Sequence, residues 1–213
     1  MLDLNKFFTY ETLEHLDTIQ KTITSLETPF TEITKACVEC IENGGKIIFF
    51  GNGGSAADCQ HLATECTIKY NKERKAIAAI ALTTDTSAIT AGANDFGYDY
   101  VFSRQIEALA KPGDIAIGIS TSGNSKNVNL AFEEARKMGV TTIGFSGRDG
   151  GKMPPLCDHI LIVPSNTTAR IQEMHIMLGQ MLIGALEIAL GYIQEPNFET
   201  DYQISNDLLL KAS

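Results

Sequence analysis

The sequence predicts an α/β fold: a three-layer α-β-α sandwich around a parallel sheet, with an N-terminal helical extension and a long C-terminal helix. Three observations carry that expectation. From Lys46 onward, short β-rich runs alternate with helix-length segments, the pattern of βαβ units covered by helices on both faces. The first 43 residues and the stretch from about Thr167 to Gly191 are helical in texture. At 213 residues, 44% of them hydrophobic and 20% charged, the chain can bury a core as an ordinary globular protein. The division expected is residues 1–44 as helices packing on the core or another subunit, 45–192 as the α/β domain, and 193–213 as a tail.

In the preface, Leu13, Leu16, Ile19, Ile23 and Leu26 recur at three- and four-residue steps. Pro29 predicts a break, with a second helix over Thr31–Glu42 ended by Gly44-Gly45. Strands are expected at Lys46–Phe50, Ile77–Leu82, Asp114–Ile119, Thr141–Phe145 and His159–Val163. Helices are expected at Ser55–Ile68, Tyr98–Leu109 and Asn127–Met138, the second entered through a Thr/Asp/Gly-rich stretch. Pro196 ends regular structure, and Leu208–Leu210 is the one apolar cluster of the tail.

Composition narrows the function. Seventeen Lys+Arg against 26 Asp+Glu give a net charge of −9, so the chain lacks the basic footprint of a nucleic-acid or anionic-membrane binder. No apolar run approaches the ~18 residues of a spanning helix, and the start does not read as a signal peptide. Five scattered Cys residues suit reduced thiols in the cytoplasm. Cys37-Val-Glu-Cys40 sits in a helical pattern and reads as small core residues.

Ligands of an open parallel sheet bind where strand ends, loops and helix N-termini converge. Two strand ends look prepared for an anion. Gly51-Asn-Gly-Gly-Ser55 leads into a helix, where glycines permit close backbone approach and free N–H groups attract negative charge. A plain turn explains that loop equally well. The second, Ser120-Thr-Ser-Gly-Asn-Ser125, holds four hydroxyls in six residues, more than a cap requires, and can hold a phosphate without cationic side chains. On the helix after the glycine loop, His61 and Glu65 stand four apart and so share a face. The pair suits a base beside a polariser, two metal ligands, or an ordinary surface contact.

Gly51-Asn-Gly-Gly-Ser-Ala, Thr83-Thr-Asp-Thr-Ser, Asn94-Asp-Phe-Gly, Ile119-Ser-Thr-Ser-Gly-Asn-Ser and Arg170-Ile-Gln-Glu-Met-His together resemble the phosphoheptose isomerases. These are sugar-isomerase (SIS) domain proteins, and the resemblance spans roughly residues 1–192. It implies a five-stranded parallel sheet and a homotetramer with active sites between subunits. It also implies conversion of sedoheptulose 7-phosphate to D-glycero-D-manno-heptose 7-phosphate, toward heptose glycans such as that of lipopolysaccharide. Such a ketose–aldose isomerisation moves a proton between adjacent carbons through an enediol(ate).

Carried over from the family, Glu65 is the base, and His61, Glu65 and Gln172 are candidate Zn²⁺ ligands. Asn52, Gly53, Gly54, Ser55, Asn94, Asp95, Ser120, Thr121, Ser122, Ser125 and Gln172 are substrate contacts. The chain departs at position 180, where the family's second catalytic histidine is Gln180. A neutral amide cannot shuttle a proton near pH 7 and is a weak zinc ligand. His175 lies about 140° away around the helix and suits packing or hydrogen bonding instead. The competing expectation is a non-catalytic SIS scaffold resembling the DnaA initiator-associating protein.

Overall fold

The computed structural model describes residues 2–195; Pro196 and Leu208–Leu210 fall outside them. In chain order the elements are α1 (Leu4–Glu42), β1 (Ile47–Gly51), α2 (Gly54–Thr67), β2 (Ala79–Ala81), α3 (Thr86–Phe96) and α4 (Ser103–Leu109). They continue with β3 (Ile115–Ile119), α5 (Lys126–Lys137), β4 (Thr141–Gly147), β5 (His159–Val163) and α6 (Thr168–Ala189). The five strands are all parallel, in the order β2-β1-β3-β4-β5. Among the described residues no helix is long and apolar enough to cross a membrane.

Alternation along the strands explains the layers, because successive side chains point to opposite faces. Ile47, Phe49, Ile117 and Phe145 pack with Ile33, Cys37, Leu62, Met174 and Leu178 of α1, α2 and α6. Ile48, Phe50 and Ala116 pack on the other face with Ile106, Val128 and Phe132 of α4 and α5. Cys37 and Cys40 are buried core residues, and the five thiols are free.

Two expectations need correction. Pro29 does not split the preface: α1 is one helix of 39 residues with the proline inside it. A mid-helix proline costs about 3 kcal/mol in isolation. Here Thr18, Thr22, Leu26, Ile33, Cys37 and Cys40 form one buried stripe that continues across it, so packing overrides the local preference. The Thr/Asp/Gly-rich stretch is also a helix, α3. Its covered face, Ala88, Ile89, Gly92 and Ala93, is only half-buried and carries one large apolar side chain, so the period is faint to read. Its ends are nonetheless defined, since the Asp85 carboxylate accepts from the Ala88 N–H and Gly97, at φ 89°, ends it. The helix expected from Tyr98 resolves into a 3-10 turn at Tyr98–Tyr100 followed by α4.

The segment between α2 and β2 is anchored by an ion pair whose two side chains are fully buried, Arg74 with Glu187 of α6 (Nε to Oε1 2.7 Å). Arg74 also donates to the carbonyls of Cys66 (2.6 Å) and Glu65 (2.6 Å), the unpaired C-terminal end of α2. Tyr70 N–H donates to the same Glu187 oxygen at 3.1 Å. On α6, His175 is wholly buried and its Nε2–H donates to the Ser146 carbonyl at 2.9 Å. Burial pushes the imidazole pKa down to about 4.

Two outcomes follow. Arg74→Met leaves Glu187 buried without its partner and should cost about 3–5 kcal/mol in urea unfolding; replacing Arg74 and Glu187 together with apolar residues should cost much less. Because the folded state holds His175 neutral down to about pH 4, the unfolded chain binds the extra proton first. Stability should be intact above pH ~6.5 and fall by about 3 kcal/mol as pH drops toward 4. Denaturant midpoints measured across that window for the native chain and His175→Gln should show the slope only in the former.

Candidate active site at the β1–β3 switch

In this strand order the chain leaves β1 toward β2 and returns on the other side of β1 as β3. The loops after β1 and β3 therefore open side by side, the crevice in which such sheets bind ligands. Gly51 pairs in register with Ile119, so the glycine and serine loops start level. Both expected cradles thus flank one crevice.

Gly53, at φ 57°, is the N-cap of α2 and has no side chain to occupy the helix's first N–H groups. The absence of a side chain at Gly54 leaves room for a neighbour: a Cβ there would fall 2.4 Å from Gln172 Nε2 and push that amide aside. This brings Gln172, as expected, against the glycine loop. Ser55 is buried one residue further on. In the serine loop, Ser120 Oγ donates to Ser125 Oγ at 2.9 Å, and Asn124 N–H donates to Ser122 Oγ at 3.2 Å. Ser125 occupies the N-cap position of α5 without capping it, so its hydroxyl belongs to the loop. Thr121 and Ser122 are half-buried beside them. Gly123, at φ 63°, cannot be replaced: a Cβ would sit 1.8 Å from the Gly150 carbonyl oxygen.

The α2 helix carries the chemistry. Glu65 has a side chain only 13% exposed, and its Oε1 receives two groups: Gln180 Nε2 at 2.9 Å and His61 Nε2 at 3.1 Å. Its Oε2 is buried and has no hydrogen-bond partner among the described residues. The three residues thus converge, with Gln180 reaching the carboxylate itself, and one oxygen stays free for a proton. Close packing of the helices permits this, since a Cβ on Gly179 would lie 2.6 Å from Leu62.

A zinc ion needs lone pairs, usually three protein ligands at a catalytic site. His61 and Glu65 supply two strong donors, but Gln180 turns an N–H, not a lone pair, toward their shared oxygen. Among the described residues no group of three His, Cys, Asp or Glu is placed to hold a metal. The donor set does not fit a resident zinc.

Asn94 and Asp95 are not part of the crevice's hydrogen bonding. They lie exposed on the last turn of α3, where Asn94 Nδ2 donates to Asp95 Oδ1 at 2.7 Å. That segment reaches the glycine loop through Tyr98, whose hydroxyl donates to Asn52 Oδ1 at 3.0 Å. Asn52 also pairs with Asn127 of α5. Neither Tyr98 nor Asn127 belongs to a readable motif; only the fold brings them to Asn52 from 46 and 75 residues away. Asp58, one turn before His61, is a further carboxylate without a sequence signal. Its Oδ2 is buried and unpartnered, and burial raises its pKa against the pull of His61.

Known proteins match this arrangement. The SIS domain family model covers residues 12–147. The chain is 58% identical over 181 residues to a phosphoheptose isomerase of Paramagnetospirillum magneticum, covering 85% of this chain and 94% of that one. It is 54% identical to the phosphoheptose isomerase of Aliarcobacter butzleri, with 85% and 96% covered. Among solved structures, phosphoheptose isomerase from Neisseria gonorrhoeae superposes with a TM-score of 0.82 at 42% identity, covering 87% of this chain and 99% of that one. The enzyme from Francisella tularensis gives 0.84 at 34% identity, covering 87% and 98%. A glycine loop and a serine loop at one switch point, Glu65 on the helix that leaves the glycine loop, and these likenesses across most of the chain lead to one conclusion: the chain belongs to the phosphoheptose isomerase family of SIS domain proteins.

Proposed function

We propose that this chain converts sedoheptulose 7-phosphate to D-glycero-D-manno-heptose 7-phosphate, supplying heptose for glycan synthesis. As a member of its family it is a sugar-phosphate isomerase. The observation that carries the specific reading is Glu65: Gln180 orients one carboxylate oxygen and the other is free. The serine loop and the N-terminus of α5 take the phosphate, with Ser120, Thr121, Ser122 and Ser125 as the hydroxyl donors. Glycine-loop N–H groups, Asn52 and Gln172 hold the sugar, and Asn94 and Asp95 read hydroxyls from the edge of the crevice.

Glu65 takes a proton from C1 of the ketose and returns it to C2, while the O1 hydroxyl proton passes to O2, so the atoms balance. His61, half-exposed beside Glu65, is the group that exchanges the hydroxyl protons. Gln180 contributes orientation and no proton. No step depends on Zn²⁺: of its candidate ligands His61, Glu65 and Gln172, only the first two are strong donors and they stand together, so any added ion would be held weakly.

Leu13, Leu16 and Ile23 of α1 are exposed, and an apolar groove between α1 and α6 is lined by Ile19, Leu26, Phe30, Met177 and Met181. These surfaces support a homotetramer in which other copies cover them. Free thiols support a cytoplasmic setting. The non-catalytic scaffold loses ground, because Glu65 keeps one carboxylate oxygen unengaged among the described residues and curated relatives at 50–58% identity are named as isomerases.

Incubation with sedoheptulose 7-phosphate should give the aldose phosphate, and Glu65→Gln should lower kcat by about 10²–10⁴-fold with little change in unfolding midpoint. A native protein that gives no turnover, with or without added Zn²⁺, rejects the reading. In calorimetric titration the native chain should bind Zn²⁺ weakly, whereas Gln180→His, which completes a His-Glu-His set, should bind one ion per chain far more tightly.

A further inference from the structure

The two cradles are joined through Asn127, a side chain that the catalytic reading does not use. Asn52, which ends the turn out of β1, and Asn127, in the first turn of α5, exchange two amide hydrogen bonds, each 2.8 Å long. Asn127 is 4% exposed, and its orientation is set by its own neighbourhood: its Oδ1 accepts from the Val128 N–H at 3.0 Å as well as from Asn52. The opposite end must therefore be the amino group that donates to Asn52 Oδ1. Tyr98 supplies the second hydrogen bond to that oxygen. Both lone pairs of the Asn52 carbonyl are then filled and one of its two N–H groups is used. Its second N–H, without a partner among the described residues, is what remains for a sugar hydroxyl.

We propose that Asn127 is a positioning residue: it clamps the glycine loop to the serine loop through Asn52, so that phosphate held on one loop places the reacting carbons against Glu65 on the helix leaving the other. The inference rests on the isomerase reading above. It assigns Asn127 to the alignment of the substrate and not to the grip on the phosphate, which stays with the serine-loop hydroxyls and N–H groups. An error of about 1 Å in such alignment can cost about 10²-fold in rate, while a phosphate taken alone does not sense it.

The test separates those two quantities. Asn127→Ala should lower kcat for sedoheptulose 7-phosphate by about 10- to 100-fold, while the inhibition constant of inorganic phosphate changes by less than about twofold, since the anion contacts are retained. Tyr98→Phe, at an exposed hydroxyl, should lower kcat severalfold without moving the unfolding midpoint. A folded Asn127→Ala with native kcat overturns the proposal. So does parallel loss of phosphate inhibition, which would place Asn127 in the anion site itself. If Asn127→Ala does not fold, Tyr98→Phe decides, and native kcat in that variant overturns the clamp. A native enzyme that is inactive in the same assay sinks the isomerase reading instead.

Discussion

Everything in this molecule is arranged around a reversal of strand order. The chain leaves β1 in one direction and comes back on the other side as β3, so two loops separated by some 70 residues of sequence emerge next to one another. A parallel sheet points all its strand ends the same way, and helices that follow those ends present their positive termini to the same crevice. An acidic chain of net charge −9 can therefore receive a phosphate. The local field is made by backbone dipoles and hydroxyls, and it does not need a basic surface.

Around that crevice, close contact and buried charge do the positioning. Glycine at 54 lets Gln172 reach the loop, and glycine at 179 lets α6 settle onto Leu62. At the far end of α2, Arg74 holds the carbonyls of Glu65 and Cys66 and is itself held by Glu187. Glu65 is thereby fixed twice, by its own carbonyl through Arg74 and by its carboxylate through Gln180. Both attachments lead to one helix, α6, directly through Gln180 and by way of Arg74 through Glu187, so the side chain and backbone of the base share a single frame. Removing either would free the carboxylate to sample orientations that do not face the substrate.

Much of this was legible in advance, and the misses have physical reasons. Alternation of strand and helix textures placed β5 at His159–Val163 and the other strands within a few residues, because buried parallel strands are rich in Val, Ile and Phe. Helix α3 escaped notice because amphipathic periodicity reports burial, and the covered face of α3 is half-buried and made mostly of small residues. The break assigned to Pro29 followed a local rule that a continuous buried face overrides. Spacing put His61 and Glu65 on one face, yet it could not bring Gln180 to them; that encounter depends on how α2 and α6 cross. Asn94 and Asp95 were named by resemblance, while Tyr98 of the same segment makes the contact with Asn52. Tertiary pairs such as Asn52–Asn127 leave no trace in a sequence read locally.

The two ends of the long helix answer to different conditions. At 39 residues α1 runs about 58 Å, and the proline supplies no N–H to the carbonyl of Ser25, so the hydrogen-bond ladder is interrupted there. Beyond it, Ile33, Cys37 and Cys40 are sunk in the core. Before it, Thr18, Thr22 and Leu26 continue that buried face, whereas no residue ahead of Thr18 is buried, and those first turns are tied to α6 by polar contacts such as the half-exposed pair His15 with Glu173 (2.7 Å). Raised ionic strength screens such contacts and leaves apolar burial untouched. The turns of α1 ahead of Thr18 are thus a segment that can peel away in concentrated salt, their amides exchanging with solvent while the sheet and its crevice stay closed.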